Sequence, residues 1–183
     1  MSFKSQAPGL DDASLLWQSP AQVQTIDQNR LTVLCDESSL TARLKQLSGG
    51  DFAVEVVQEG WIQLENKALL SAFGPVAPGH RFWSRHVILR GRGEPWVMAH
   101  SLLPEHAAFS PLKEVMELSN KPLGEFLFQN PDLIRMNLEL VKTPGNIWGR
   151  RSLFSLYNKP IMVAEFFMQT FPFDVALTQI GAD

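Results

Sequence analysis

Cysteine is nearly absent from this chain of 183 residues: Cys35 is the only one. No intrachain disulfide and no thiolate zinc site can form, and a reducing compartment fits best. Long apolar runs are missing too. Nothing approaches the ~20 consecutive apolar residues needed to cross a bilayer. The opening MSFKSQAPGLDDASLLW carries Asp11 and Asp12 where a secretory signal would be apolar. The expectation is a cytoplasmic protein with no membrane insertion. An excess of basic charge is also lacking. The 16 Lys and Arg face 19 Asp and Glu, for a net charge of -3. This argues against a nucleic-acid partner, since binding along phosphates needs a basic face. It leaves room for a local basic pocket that takes a small anion. His80, His86, His100 and His106 show no ligand spacing, so no metal is expected.

What is present suits a packed core. Apolar residues make up 45% of the chain and charged residues 19%, enough for one folded domain of this length. The first 26 residues are polar and contain proline, as a surface segment would be. Residues 29–47 read as helix in two pieces. In the second piece Leu40, Leu44 and Leu47 form a stripe, DESS supplies an N-cap, and Gly49 and Gly50 stop it. Strand patterns cover 51–57 and 61–64, with a break or bulge expected at Glu59-Gly60. Residues 72–79 read as loop. The runs 81–90 and 95–103 flank GRGE and form a hairpin. Residues 110–119 and 123–128 read as two short helices broken at Pro122. Strands follow at 134–141, 151–157 and 161–168. Helices early and mid-chain with about six strands in hairpin order predict a single α+β domain on an antiparallel sheet.

Strand alternation finds charges on faces that should be dry. In RFWSRHVILR, Arg85 shares a face with Trp83, Val87 and Leu89. A buried guanidinium stays charged and needs an anion. In IMVAEFFM, Glu165 shares a face with Ile161, Val163 and Phe167. Either these two residues pair with each other and nothing more happens, or both line one polar-tipped pocket. A third cluster is Trp148-Gly149-Arg150-Arg151. Neighbours on a strand face opposite ways, so only one of the two arginines can enter such a pocket; the other is expected in solvent or on Trp148. His100 reads as a satisfied, partly buried imidazole, and Cys35 as a structural thiol.

The segments GEPWVMAHSLLP, NKPLGEFLF, IWGRRSLF and NKPIMVAEFF, in this order and spacing, resemble the bacterial chorismate pyruvate-lyase family. RFWSRHVILR and the helix around 39–47 join the match. The resemblance implies a domain over 27–173, with 174–183 left as a tail. It implies a bent antiparallel sheet with an enclosed ligand beneath helical flaps. It also implies a carbon–oxygen lyase that takes pyruvate from chorismate and leaves 4-hydroxybenzoate for ubiquinone, without metal or cofactor; a monomer is the expectation, although no residue pattern reads out the oligomeric state. By the same resemblance Arg85 holds the ring carboxylate and Glu165 lies near the 4-hydroxyl, either as a general acid at the ether oxygen or only orienting the substrate. Leu123 closes a flap over the carboxylate, and Leu40 takes a second flap position where other members can carry Met. A second cation should meet the enolpyruvyl carboxylate, and Arg150 or Arg151 is the candidate. Flaps imply slow release and product inhibition. The competing reading is a non-catalytic small-molecule sensor on the same sheet, of the transcription-regulator ligand-binding type. Against it, the first 50 residues hold only Lys4, Arg30, Arg43 and Lys45 as cations, too few for a DNA-reading helix.

Overall fold

The structure is a computed structural model and describes residues 8–182. Its frame is one sheet of six antiparallel strands: β1 (Phe52–Gln63), β2 (Arg81–Gly91), β3 (Glu94–Pro104), β4 (Ile134–Lys142), β5 (Trp148–Leu156) and β6 (Lys159–Phe167). Their spatial order is β1-β2-β3-β6-β5-β4, so β1 and β4 are the edges. The tight turn at Asn158 and the GRGE turn close hairpins as expected, with Arg92, Tyr157 and Asn158 at positive φ.

Helices cover both faces. On one side lie α1 (Gln28–Leu34) and α2 (Leu40–Ser48). Ser39 caps α2 by accepting from the Ala42 N–H at 3.3 Å, and Gly49, at φ 67, ends it in the left-handed region. Leu44 and Leu47 of the stripe are buried and Leu40 is half-buried. A short helix, α3 (Lys67–Ala72), caps itself with Asn66 and covers the opposite face. After β3 come α4 (Glu105–Ala108) and then a 3-10 helix, Lys113–Glu117, where an α-helix was expected over 110–119. Leu112, Val115 and Leu118 are the buried positions, and their spacing of three matches the three-residue turn of a 3-10 helix. Next is α5 (Leu123–Phe128).

The chain end departs from the expected tail: Phe173–Ile180 forms α6, which packs on α1 with Ala176 buried and the Arg30 guanidinium over the Phe173 ring at 5.5 Å. The apolar spacing of eight residues was too short to read as helix by itself. On the opposite face of the sheet Leu10 and Leu15 are buried, and Gln18 bridges to Leu140. Among the described residues, no helix is long and apolar enough to cross a membrane.

The β1 irregularity lies between Val56 and Gln58, not at Glu59-Gly60. A second bulge lies in β4, between Arg135 and Asn137, and a third in β3, where Trp96 falls between the partners of Leu89 and Arg90. Each inserts one residue and inverts the alternation that follows.

Candidate active site

Cross-strand register builds the site in two rungs. One rung runs Glu59, Arg85, Ser101, Val163 and Ser152; its neighbour runs Val56, Val87, Ala99, Glu165 and Arg150. Directly opposed residues share a sheet face. The central strand β3 contributes only Ala99 and Ser101 there, so large side chains stand on either side of a low floor. The result is a narrow cavity of about 50 Å³, roofed by Leu40 and Thr41 of α2 and by Pro122, Leu123, Gly124 and Leu127 at α5. The two roofs meet closely. A Cβ on Gly124 would lie 2.5 Å from Thr41 Oγ1, so any side chain there would force the threonine hydroxyl to turn away. Outside, Lys45 Nζ donates to Glu125 Oε2 at 2.7 Å across the seam.

Arg85 is 2% exposed. Its Nη1 donates to Glu59, and its Nη2 donates to the carbonyls of Ser119 (2.7 Å) and Lys121 (3.0 Å). These three bonds leave two of the five N–H groups of a guanidinium for another acceptor. Ser119 sits at φ 53, turning its carbonyl toward Arg85. Arg85 thereby pins the turn that leads into α5. Lys121, read from sequence only as a solvated charge, contributes through its backbone.

Arg150 repeats this on the other roof. It is 2% exposed. Its Nε donates to Glu165 Oε2 at 2.5 Å, and its Nη1 donates to the carbonyls of Leu34 (3.0 Å) and Asp36 (2.7 Å). The turn between α1 and α2 is thus tied to the sheet. Arg85 and Glu165 do not pair with each other. Each has its own partner, and both line the same cavity.

Arg151 does not enter the cavity. It pairs with Glu139 at 2.7 Å and lies over the Trp17 ring at 4.7 Å on the opposite face. As a candidate for the second carboxylate it is corrected by strand alternation itself. Lys142, not an arginine, sits over Trp148 at 5.5 Å. A residue the sequence reading did not pick out takes the free place: Arg135 lines the cavity beside Arg150 and Glu165. The β4 bulge puts it opposite Phe154, where regular alternation from Leu138 and Leu140 would have put Met136.

The remaining candidates are structural. His100 is buried rather than partly exposed. Its Nδ1 accepts from the Leu10 N–H at 2.8 Å, so its Nε2 carries the proton toward Ser84 Oγ at 2.9 Å, the wrong tautomer for activating that hydroxyl. Burial, with His86 stacked at 3.6 Å, pushes the His100 pKa down to about 2. Burial raises the Cys35 thiol pKa, which makes it a poor nucleophile. Among the described residues no group of His, Cys, Asp and Glu could hold a metal ion. A wider hollow of about 630 Å³ lies near His86, Met98 and Met168 on the face away from the flaps.

The family model for chorismate lyase matches residues 12–176. The chain belongs to the chorismate lyase family. Relatives include a probable chorismate pyruvate-lyase of Pseudomonas putida, 37% identical, with 85% of this chain and 89% of that protein covered. The chorismate pyruvate-lyase of Enterobacter sp. (strain 638) is 32% identical over 82% of this chain and 89% of that protein. Among solved structures, the ligand-binding domain of a putative GntR-family regulator from Bordetella bronchiseptica aligns at TM-score 0.47 and 13% identity, covering 66% of this chain and 84% of that one.

Proposed function

We propose that this protein is a chorismate pyruvate-lyase that releases 4-hydroxybenzoate, the aromatic acid used for ubiquinone, and pyruvate. The observation that carries the reading is one cavity, roofed by two helices, with a buried arginine on one rung and a glutamate on the next. A sensor that only binds would need the same cavity, so the two readings part at turnover.

Chorismate is a dianion: a ring carboxylate, an enolpyruvyl ether with its own carboxylate, and a neighbouring alcohol. Arg85 anchors the ring carboxylate with its remaining donors, assisted by the backbone at Leu123. Glu165, held by Arg150, is an acceptor; it fixes the ring through the 4-hydroxyl rather than giving a proton. Leu40 and Leu123 exclude water. In the bound conformer the C4–H bond lies against the methylene carbon of the side chain. That hydrogen moves to the methylene carbon, the enol ether collapses to the pyruvate ketone, the ring C–O bond breaks, and the C4–C3 double bond completes the aromatic ring. Aromatisation drives the step, so holding one conformer and shielding it from water suffices. The flat product stays under the two roofs until they part, which gives slow release and product inhibition.

The test is incubation of the purified protein with chorismate, following 4-hydroxybenzoate and pyruvate by chromatography. Equal amounts of both support the lyase. Binding of chorismate with no products would establish the sensor instead.

A further inference from the structure

Two of the three arginines at the cavity are paired directly, and the third feels carboxylates only at longer range, from Glu165, Glu37 and Asp36. Arg85 is matched by Glu59 and Arg150 by Glu165. Arg135 has no such match: among the described residues it makes no ion pair, and its Nη1 is buried with no hydrogen-bond partner. Its guanidinium lies over the Phe154 ring at 5.0 Å, which holds it in place without neutralising it. Burial, with Arg150 close by, lowers its pKa, yet a guanidinium remains charged at neutral pH. An unpartnered buried donor on a charged group is costly unless a ligand completes it.

Its place in the cavity says which ligand group. Arg135, Phe128 and Phe154 also line an outer hollow of about 230 Å³ bounded by Glu37, Asn130 and Leu133. Arg135 therefore stands at the neck between the inner cavity and this hollow, at the Glu165 end and away from the pinned carbonyls that surround Arg85. Resting on the lyase reading above, we infer that Arg135 binds the second carboxylate of the substrate, the one on the enolpyruvyl side chain. Arg150, the earlier candidate, is already neutralised by Glu165 and ties down the carbonyls of Leu34 and Asp36, which leaves only its Nη2 for another acceptor. The assignment has a kinetic signature. The second carboxylate leaves with pyruvate, so Arg135 grips the substrate and has no contact with the aromatic product.

The experiment measures two quantities on wild type, Arg135→Ala and Arg135→Lys: steady-state kinetics with chorismate, and the calorimetric Kd for 4-hydroxybenzoate. Loss of a charged hydrogen bond predicts that kcat/KM for chorismate falls about 10- to 100-fold in Arg135→Ala, mostly through KM. The Kd for 4-hydroxybenzoate should stay within about threefold of wild type. Arg135→Lys keeps the charge, loses the planar fork and should recover part of the loss; it also serves if the alanine variant fails to fold. Parallel losses in chorismate kinetics and product binding would show a merely structural role and overturn the inference. So would chorismate kinetics left unchanged in either variant. Both of these outcomes leave the lyase reading standing, whereas a wild-type protein that does not consume chorismate removes both.

Discussion

The four inner strands and the two edge strands build the site by different rules. In β2, β3, β6 and β5, alternation holds through the site and its residues can be counted off by twos; the register shift between β2 and β3, at Trp96, lies beyond it. Arg85, Glu165 and Arg150 come from these strands. In β1 and β4 a single inserted residue inverts the count, and each inversion turns one charged residue inward: Glu59 beside Arg85, and Arg135 beside Phe154. The inner strands are paired on both sides, so a bulge in one disturbs two ladders, and the one they carry lies outside the site. An edge strand has one free side, so it can carry a bulge at little cost. Charge that must be placed against the phase of its strand is placed at the edge.

The largest expected effect tests the inner strands. Arg85→Ala removes the proposed carboxylate anchor, leaves Glu59 without its partner and frees the Ser119–Lys121 turn; chorismate turnover should fall about 100-fold or more. Arg85→Lys should not restore it, because one ammonium cannot serve the several acceptors around it. Steady-state kinetics checks both.

The next tests the edge phase. Exchanging Gln58→Glu together with Glu59→Gln keeps composition and moves the carboxylate one position, to the wrong face. Urea unfolding should show a loss of about 1–3 kcal/mol. 4-Hydroxybenzoate should raise the Tm of this variant more than that of wild type, since the ligand anion then stands in for Glu59. Stability equal to wild type would mean that the β1 bulge does not set the phase.

A smaller effect concerns the roof. Gly124→Ala brings a methyl within 2.5 Å of Thr41 Oγ1, so the buried threonine must leave its rotamer, while its Cβ, 3.5 Å away, stays in ordinary contact. The dissociation rate of 4-hydroxybenzoate in stopped flow should rise a few-fold, by roughly 1 kcal/mol of lost closure.

The effect that is smallest at neutral pH, and grows only in acid, belongs to the face away from the flaps, where burial keeps the imidazole neutral. His100 keeps a pKa of about 2 when folded and an ordinary value near ~6.5 when unfolded. The unfolded chain therefore binds the extra proton between these values. His100 contributes nothing to pH dependence above that range, and stability falls as pH drops below ~6.5, with a slope of up to about 1.4 kcal/mol per pH unit. His86, lowered by burial as well, acts in the same direction. Tm measured from pH 8 to pH 5 should decline, and His100→Gln should flatten the curve.

How much was legible in the sequence follows the same division. Arg85 and Glu165 stood out because the stretches of strand next to them alternate without interruption. The α2 stripe and its caps were readable because nine residues make more than two full turns. Arg135 was invisible, since two residues of one strand, Ile134 and Met136, look inward by count and in fact face solvent. A signal did exist: an arginine between two large apolar residues on an edge is either a misplaced charge or a phase shift. Arg151 was misjudged for want of a decision between neighbours, which the register of Arg150 against Glu165 settles. The helix α6 was missed because its stability comes from packing on α1, which no local pattern reports.

The most direct measurement is a crystal structure with 4-hydroxybenzoate bound. Its carboxylate should lie on Arg85 and its hydroxyl at Glu165, beneath α2 and α5, with Arg135 untouched by the ligand. A product molecule seated instead in the hollow beside His86 and Met98, with the flap cavity empty, would contradict the placement of the active site.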